Sequence, residues 1–218
     1  MTETLLLISN EAGVRQLRLN RPEKRNALSQ ALRAQLVAAL GDAAADDGVA
    51  AVVIAGVGQH FCAGFDLAEL ADAPDPATVF ADAGHYHYAV HTFAKPLLAA
   101  VNGSAMAGGL DLALMCDLRI VSRDATFGQP QVRHGIPAAY DLMAGVVGDA
   151  HARRLSLTGR IIDADEAFRI GLVGEVVDGA ELDQAAQVQA AAIASYPNIA
   201  SMKRRFLDAQ PTLFRPAD

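Results

Sequence analysis

The sequence predicts an α/β domain with a largely parallel sheet, and three observations predict it. Val49–Ile54 is a short run rich in β-branched residues, followed by a turn and then a helical stretch. Leu97–Val101 repeats the pattern: a glycine-rich turn follows it, then a helix from Gly108 to about Cys116 and another strand, Leu118–Val121. Strands that alternate with helices must be joined by crossovers, which run neighbouring strands parallel. The last third of the chain is helical in pattern.

Taken in order, Leu5–Ile8 and the alternating Gln16–Leu19 flank Asn10-Glu11-Ala12-Gly13 and predict a hairpin. From Ser29 to Ala45, Leu32, Leu36, Val37, Leu40 and Ala43 recur at helical spacing. Ala77–Thr92 predicts a second helix, stopped by Lys95-Pro96. Asp163-Ala164-Asp165-Glu166 resembles a capping box, with Asp163 as N-cap and Gly171 as terminator. Gly179–Tyr196 predicts a long Ala-rich helix, Ser201–Asp208 a last one, and the residues from Gln210 an irregular tail. With neither linker nor repeat, residues 1–218 are expected to form one domain: a core over about 1–175 and a helical C-terminal part over about 179–208.

Composition narrows the function. A formal charge of −7 leaves no broad basic face, which argues against nucleic-acid binding. No apolar stretch is long enough for a membrane helix, and the first residues lack the basic region and cleavage site of an export signal. Cys62 and Cys116 have no metal-ligand spacing, so reduced thiols and a cytoplasmic location are expected.

Two turns stand where open α/β sheets bind ligands, after the carboxyl ends of strands. The first is His60-Phe61-Cys62-Ala63-Gly64-Phe65-Asp66-Leu67, where Ala63 and Gly64 let the backbone approach a ligand. The second is Asn102-Gly103-Ser104-Ala105-Met106-Ala107-Gly108-Gly109, and the helix that follows offers free N–H groups and its positive dipole end. Two such turns can aim two donors at one oxygen; glycines needed only for tight turning give the same pattern.

A series of motifs then resembles the enoyl-CoA hydratase/isomerase, or crotonase, family. It runs from Asn20-Arg21-Pro22-Glu23-Lys24-Arg25-Asn26-Ala27-Leu28-Ser29 through Phe61–Leu67 and Lys95–Gly103. It continues through Gly108–Asp117, Phe127-Gly128-Gln129-Pro130, Leu157-Thr158-Gly159 and Gly171-Leu172-Val173, over roughly residues 5–205. The resemblance implies a spiral of ββα units with a shortened C-terminal helical region. It implies an acyl-CoA or acyl-carrier-protein thioester as substrate, coenzyme A only as part of that substrate, no metal and no other cofactor. A homotrimer or hexamer is implied as well. Phe65 and Gly108 take the place of the oxyanion-hole N–H donors. Lys24, Arg25, Ala27, Ala63, Gly64, Asp66, Leu67, Met106, Pro130 and Gln131 fall where the family meets coenzyme A and the acyl group.

Where hydratases of the family carry two glutamates, this chain has Asp111 and Gln131, and a glutamine cannot exchange a proton at neutral pH. Isomerase, hydrolase or decarboxylase chemistry is therefore expected over hydration, with Asp111 and Asp141 as candidate catalytic carboxylates. Asp141 equally fits the first turn of the following helix, favoured by its dipole. His87 and His91 are spaced to share a helix face, as a metal pair or as a pocket wall, and His85 and His134 are open in role. The alternatives are C–C bond hydrolysis of a non-CoA diketone on the same fold, and a non-catalytic partner subunit.

Overall fold

The computed structural model describes residues 4–72, 76–211 and 213–214. The expected hairpin forms from β1 (Leu6–Glu11) and β2 (Val14–Leu19), antiparallel through Ala12 and Gly13 at positive φ. Such a two-residue turn matches the right-handed twist of the strands it joins. Ser29 then caps α1 (Gln30–Ala45), its hydroxyl accepting from the Leu32 N–H.

From there the chain spirals. β3 (Ala51–Gly56), β5 (Leu97–Val101) and β7 (Leu118–Ser122) run parallel in one sheet, and β4 (His60–Cys62), β6 (Ser104–Met106) and β8 (Thr126–Gly128) run parallel in a second. Each long strand hands the chain to a short one. Helices α2 (Leu67–Asp72), α3 (Pro76–His91) and α4 (Gly108–Met115) follow the short strands. This is the ββα spiral that the family resemblance implies.

Next come α5 (Tyr140–Thr158), broken at Gly148, then β9 (Ile161–Asp163), α6 (Ala164–Arg169) and β10 (Glu175–Val177). The large sheet has the order β1-β2-β3-β5-β7-β10, and the small one β4-β6-β8-β9. Asp163 caps α6 as expected, and Gly171 takes positive φ just past its end. Glu166 does not return to the cap; its carboxylate forms a two-pronged pair with Arg160 at 2.7 Å. The helix expected over Gly179–Tyr196 is α7 (Leu182–Ala194), and the last is α8 (Ile199–Ala209). Of the expected irregular tail, residues 212 and 215–218 lie outside the described residues, as do residues 1–3 at the other end.

Alternation along the strands divides the core. Val52, Ile54, Leu97, Ala99 and Val101 face α1, α3 and α4, while Ala51, Val53, Ala55, Leu98 and Ala100 face the other side. That second side is covered by α7 through Leu182, Ala186 and Ala190, apolar residues one turn apart. Charged groups tie the corners. Lys203 of α8 reaches both oxygens of Asp117 at 2.7 and 2.8 Å, and Asp117 also accepts from the Leu97 N–H at 2.8 Å. Lys95 donates to the carbonyls of Ala43, Asp46 and Val49 at 2.7–2.8 Å, closing the loop between α1 and β3.

Candidate active site

The segment Asn20–Leu28 is clamped onto the turn after β4. Asn26 is fully buried; it accepts from the Arg21 N–H and donates to the carbonyls of Val57 and His60 at 3.0 and 2.7 Å. Arg21 donates to the Ala27 carbonyl at 2.7 Å and pairs with Asp66 at 2.9 Å. Burial alone would raise the Asp66 carboxyl, but the Arg21 guanidinium and the Ala68 N–H outweigh it and hold it below the usual carboxylate range. Two backbone bonds finish the clamp, Ala63 N–H to the Arg25 carbonyl and Leu28 N–H to the Gly64 carbonyl. Asn26 and Arg21 were missing from the sequence-derived site. Both lie in the motif Asn20–Ser29, but their partners are remote in sequence.

The turn before α4 meets the first turn edge to edge. A Cβ on Gly64 would lie 3.0 Å from the Gly108 nitrogen and 3.0 Å from the Met106 carbonyl oxygen. One on Gly109 would sit 2.2 Å from the Cys62 carbonyl oxygen, so only glycine lets α4 start against β4. Ala107 is held at φ 50°, ψ −125°, a conformation that costs on the order of 1–3 kcal/mol for a residue with a side chain. Two bonds hold it there: its N–H donates to the Gly128 carbonyl, and its carbonyl accepts from the Asp111 N–H. The result brings Gly108 beside the Gly64-Phe65 backbone. Among the described residues, neither the Phe65 nor the Gly108 N–H joins a backbone bond between elements, and Gly108 opens a helix whose first amides have no carbonyl a turn earlier. Two adjoining free amides are the arrangement that stabilises charge on one oxygen.

Asp111 lies one turn into α4 and is 7% exposed. Burial raises its carboxyl to about 7, against the opposing effect of a 2.7 Å hydrogen bond from Gln129 Nε2. Gln129 Oε1 in turn accepts from Gln131 Nε2, so three side chains form a chain from the helix into the 3-10 turn Pro130–His134. Gln129, 0% exposed, is a third residue missing from the sequence-derived site. A carboxylate with proton affinity near neutrality can both take and return a proton.

The wall beside Phe65 is aromatic and cationic. Its ring lies 5.0 Å under the Arg33 guanidinium and meets the His87 ring edge-on at 5.8 Å. His87 stacks on Phe214 at 4.7 Å, and His91 meets the same ring edge-on at 5.6 Å. Burial, with help from Arg33 and His91, pushes His87 down to about 4, so it is neutral at physiological pH. His87 and His91 thus line a wall, and among the described residues no group of three His, Cys, Asp or Glu is arranged to hold a metal. Burial pushes the Cys62 and Cys116 thiols up to about 12, so neither is a thiolate.

The remaining expected residues spread around this centre. Lys24 and Arg25 are exposed on the clamp, Ala27 is buried beneath it, and Leu67 is exposed at the start of α2. Ala63, Met106, Pro130 and Gln131 are half-buried. Asp141 is exposed in the first turn of α5 and takes no part in the Asp111 chain. His85 and His134 are exposed, and Tyr140 donates to Asp149 at 2.6 Å.

Known proteins share this architecture. A family profile described as enoyl-CoA hydratase/isomerase matches residues 9–215. A probable enoyl-CoA hydratase of Rhizobium meliloti is 40% identical over 207 residues, covering 93% of this chain and 80% of that protein. The 2,3-dehydroadipyl-CoA hydratase of Escherichia coli is 40% identical over 174 residues, covering 78% of this chain and 68% of its own length. Among solved structures, an enoyl-CoA hydratase of Mycobacterium smegmatis superimposes with a TM-score of 0.89 at 36% identity, covering 94% of this chain and 83% of the other. An enoyl-CoA hydratase/isomerase of Xanthobacter autotrophicus also gives 0.89, at 35% identity and coverage of 95% and 80%. Profile, relatives and superposition agree, and the chain belongs to the enoyl-CoA hydratase/isomerase family.

Proposed function

We propose that the chain binds an acyl thioester of coenzyme A or acyl carrier protein and shifts its double bond through an enolate. The N–H groups of Phe65 and Gly108 hold the thioester oxygen as charge develops there. Each such preorganised donor is worth roughly 3–4 kcal/mol. Asp111 removes a proton from the carbon chain and returns it at another carbon. The observation that carries this reading is the buried Asp111 carboxyl, raised to about 7, one helical turn from Gly108. One carboxylate that shuttles one proton suffices for isomerisation. Gln131 stands where a second proton carrier would be needed for hydration. Hydrolysis and decarboxylation through the same hole are the neighbouring chemistries. Assembly into trimers or hexamers and a cytoplasmic location belong to the same proposal, and light scattering reads the first; among the described residues, no helix is long and apolar enough to cross a membrane.

Hydration is the second reading, favoured by the names of relatives such as the Rhizobium meliloti and Escherichia coli proteins. Incubation with 2-enoyl- and 3-enoyl-CoA esters in deuterated water separates the two by mass. Isomerisation keeps the mass, or raises it by deuterium where the proton on Asp111 exchanges with solvent before its return, and chromatography separates the isomers; hydration adds the mass of a heavy water. Water addition at a rate comparable to double-bond migration overturns the isomerase reading. No turnover of any thioester by the isolated protein leaves the partner-subunit alternative, and turnover without affinity for coenzyme A leaves the diketone hydrolase.

A further inference from the structure

We propose that Gln131 is a positioning residue for the proton-carrying carboxylate: through Gln129, it fixes which end of that amide faces Asp111. This rests on the reading of Asp111 as the proton carrier.

The direction of the chain follows from donor and acceptor counting. An ionised carboxylate only accepts, so Gln129 must present its NH2 group to Asp111, as it does at 2.7 Å. Its Oε1 then faces the other way and needs a donor, which Gln131 Nε2 supplies. The direction leaves Gln131 Oε1 at the far end, buried and with no hydrogen-bond partner among the described residues. Gln131 gains nothing at that end from this orientation. The polarity is therefore set from Asp111 outward, and Gln131 locks it. A proton on Asp111 lifts the requirement: the carboxyl then offers an O–H donor beside an acceptor oxygen, so either direction of the amide chain satisfies it.

Among the described residues, no other charge competes for Asp111. The titratable groups that interact with it among the described residues are the Cys62 thiol from β4 and the Tyr86 hydroxyl from α3, and burial holds both neutral. From α5, which also packs on α4, no charged side chain acts on it. The proton affinity of Asp111 thus answers mainly to burial and to this one amide, and burial is untouched by the far end of the chain.

The test is an infrared titration of the unliganded protein, following the protonated-carboxyl C=O stretch that is absent from Asp111→Asn. Exposed carboxyls are ionised well below neutral pH, so the band is isolated there. Gln131→Met keeps length and shape but removes the donor. Its midpoint is expected to rise by at least about one pH unit above that of the unaltered protein. Gln131→Lys keeps a donor for Gln129 Oε1, and its midpoint stays at or below the original. In a Gln129→Met background, the further change Gln131→Met has no effect, because the connection is already cut. Gln131→Leu serves the same comparison where Gln131→Met does not fold. An unchanged midpoint in the folded Met or Leu variant overturns the proposal, as does an equal rise in the Gln129→Met background. The titration uses no substrate, so its outcome is independent of which reaction the protein catalyses. Loss of the proton-carrier reading shows separately, as full activity in Asp111→Asn.

Discussion

The Phe65 ring lies directly over the α-carbon of Gly108, so that a methyl group there would stand 2.9 Å from its Cδ2 and 3.0 Å from its Cε2. The two residues whose amides form the proposed hole are thus also packed on each other, and their spacing is set by that contact. Gly108→Ala is expected to push the ring aside and spoil the alignment of both donors. A loss of about 10²–10³ in kcat/KM is expected, with circular dichroism unchanged. Adding Phe65→Ala restores part of the rate, because it removes the clash. Steady-state kinetics of the single and double variants read the coupling.

Asp111 links stability to pH in a stated direction. Its folded value of about 7 lies above the ordinary value of 3.8. Its contribution is therefore fully present below about pH 4 and is lost as pH rises through about 7. Asp111→Asn carries no charge to bury. It is expected to unfold at higher urea than the unaltered protein at pH 8, by a difference on the order of a few kcal/mol, and the gap closes toward pH 4.

The same substitution has the opposite effect on turnover. Asp111→Asn is expected to lower kcat on the true substrate by at least about 10²-fold while coenzyme A binding, measured by calorimetry, stays the same. In the unaltered protein, kcat/KM falls below about pH 7 as Asp111 takes up a proton.

Asp141 separates two chemistries. It is exposed in α5, apart from the Asp111 chain. Asp141→Asn is expected to change an isomerisation rate by less than about threefold, since loss of a proton-transfer group costs about 10²-fold or more. A loss of that larger size, on a substrate that is hydrolysed, would assign Asp141 to the attack of water instead.

Lys24 and Arg25 form the exposed positive edge of the clamp, and neither has an ion-pair partner among the described residues. Lys24→Glu with Arg25→Glu is expected to weaken coenzyme A binding about tenfold or more at low salt. The difference shrinks toward 1 M salt, where the screening length falls to about 3 Å. Titrations at several salt concentrations read it; equal affinity throughout moves the phosphates elsewhere.

Much of this was written in the local pattern. Ser29 before an apolar-periodic stretch, the Ala12-Gly13 turn and the β-branched Val49–Ile54 run each have a short-range physical signature, and each became the element it signals. The second sheet did not show. β4, β6, β8 and β9 are three residues each, too short for a period of two to stand out, and two of them lie inside the segments that read as glycine-rich turns. Asp111, Phe65 and Gly108 were singled out by the family resemblance, and the fold sets them at adjoining turns. Gln129 was not, because its importance lies in a partner eighteen residues away. Asn26 escaped for the same reason, since a buried asparagine is recognisable only once the carbonyls around it are placed.

Lys95 performs at the end of α1 the task a bound cation performs in other loops. Three carbonyl oxygens converge on its ammonium group within 2.8 Å, drawn from residues 43, 46 and 49. Because this ion is tethered to the chain, its local concentration is fixed and it cannot be stripped by a chelator or diluted away. The corner from which β3 departs toward the first turn is therefore indifferent to the ionic composition of the medium. It is vulnerable to acylation of that amine, which removes the charge and two of the three donors together.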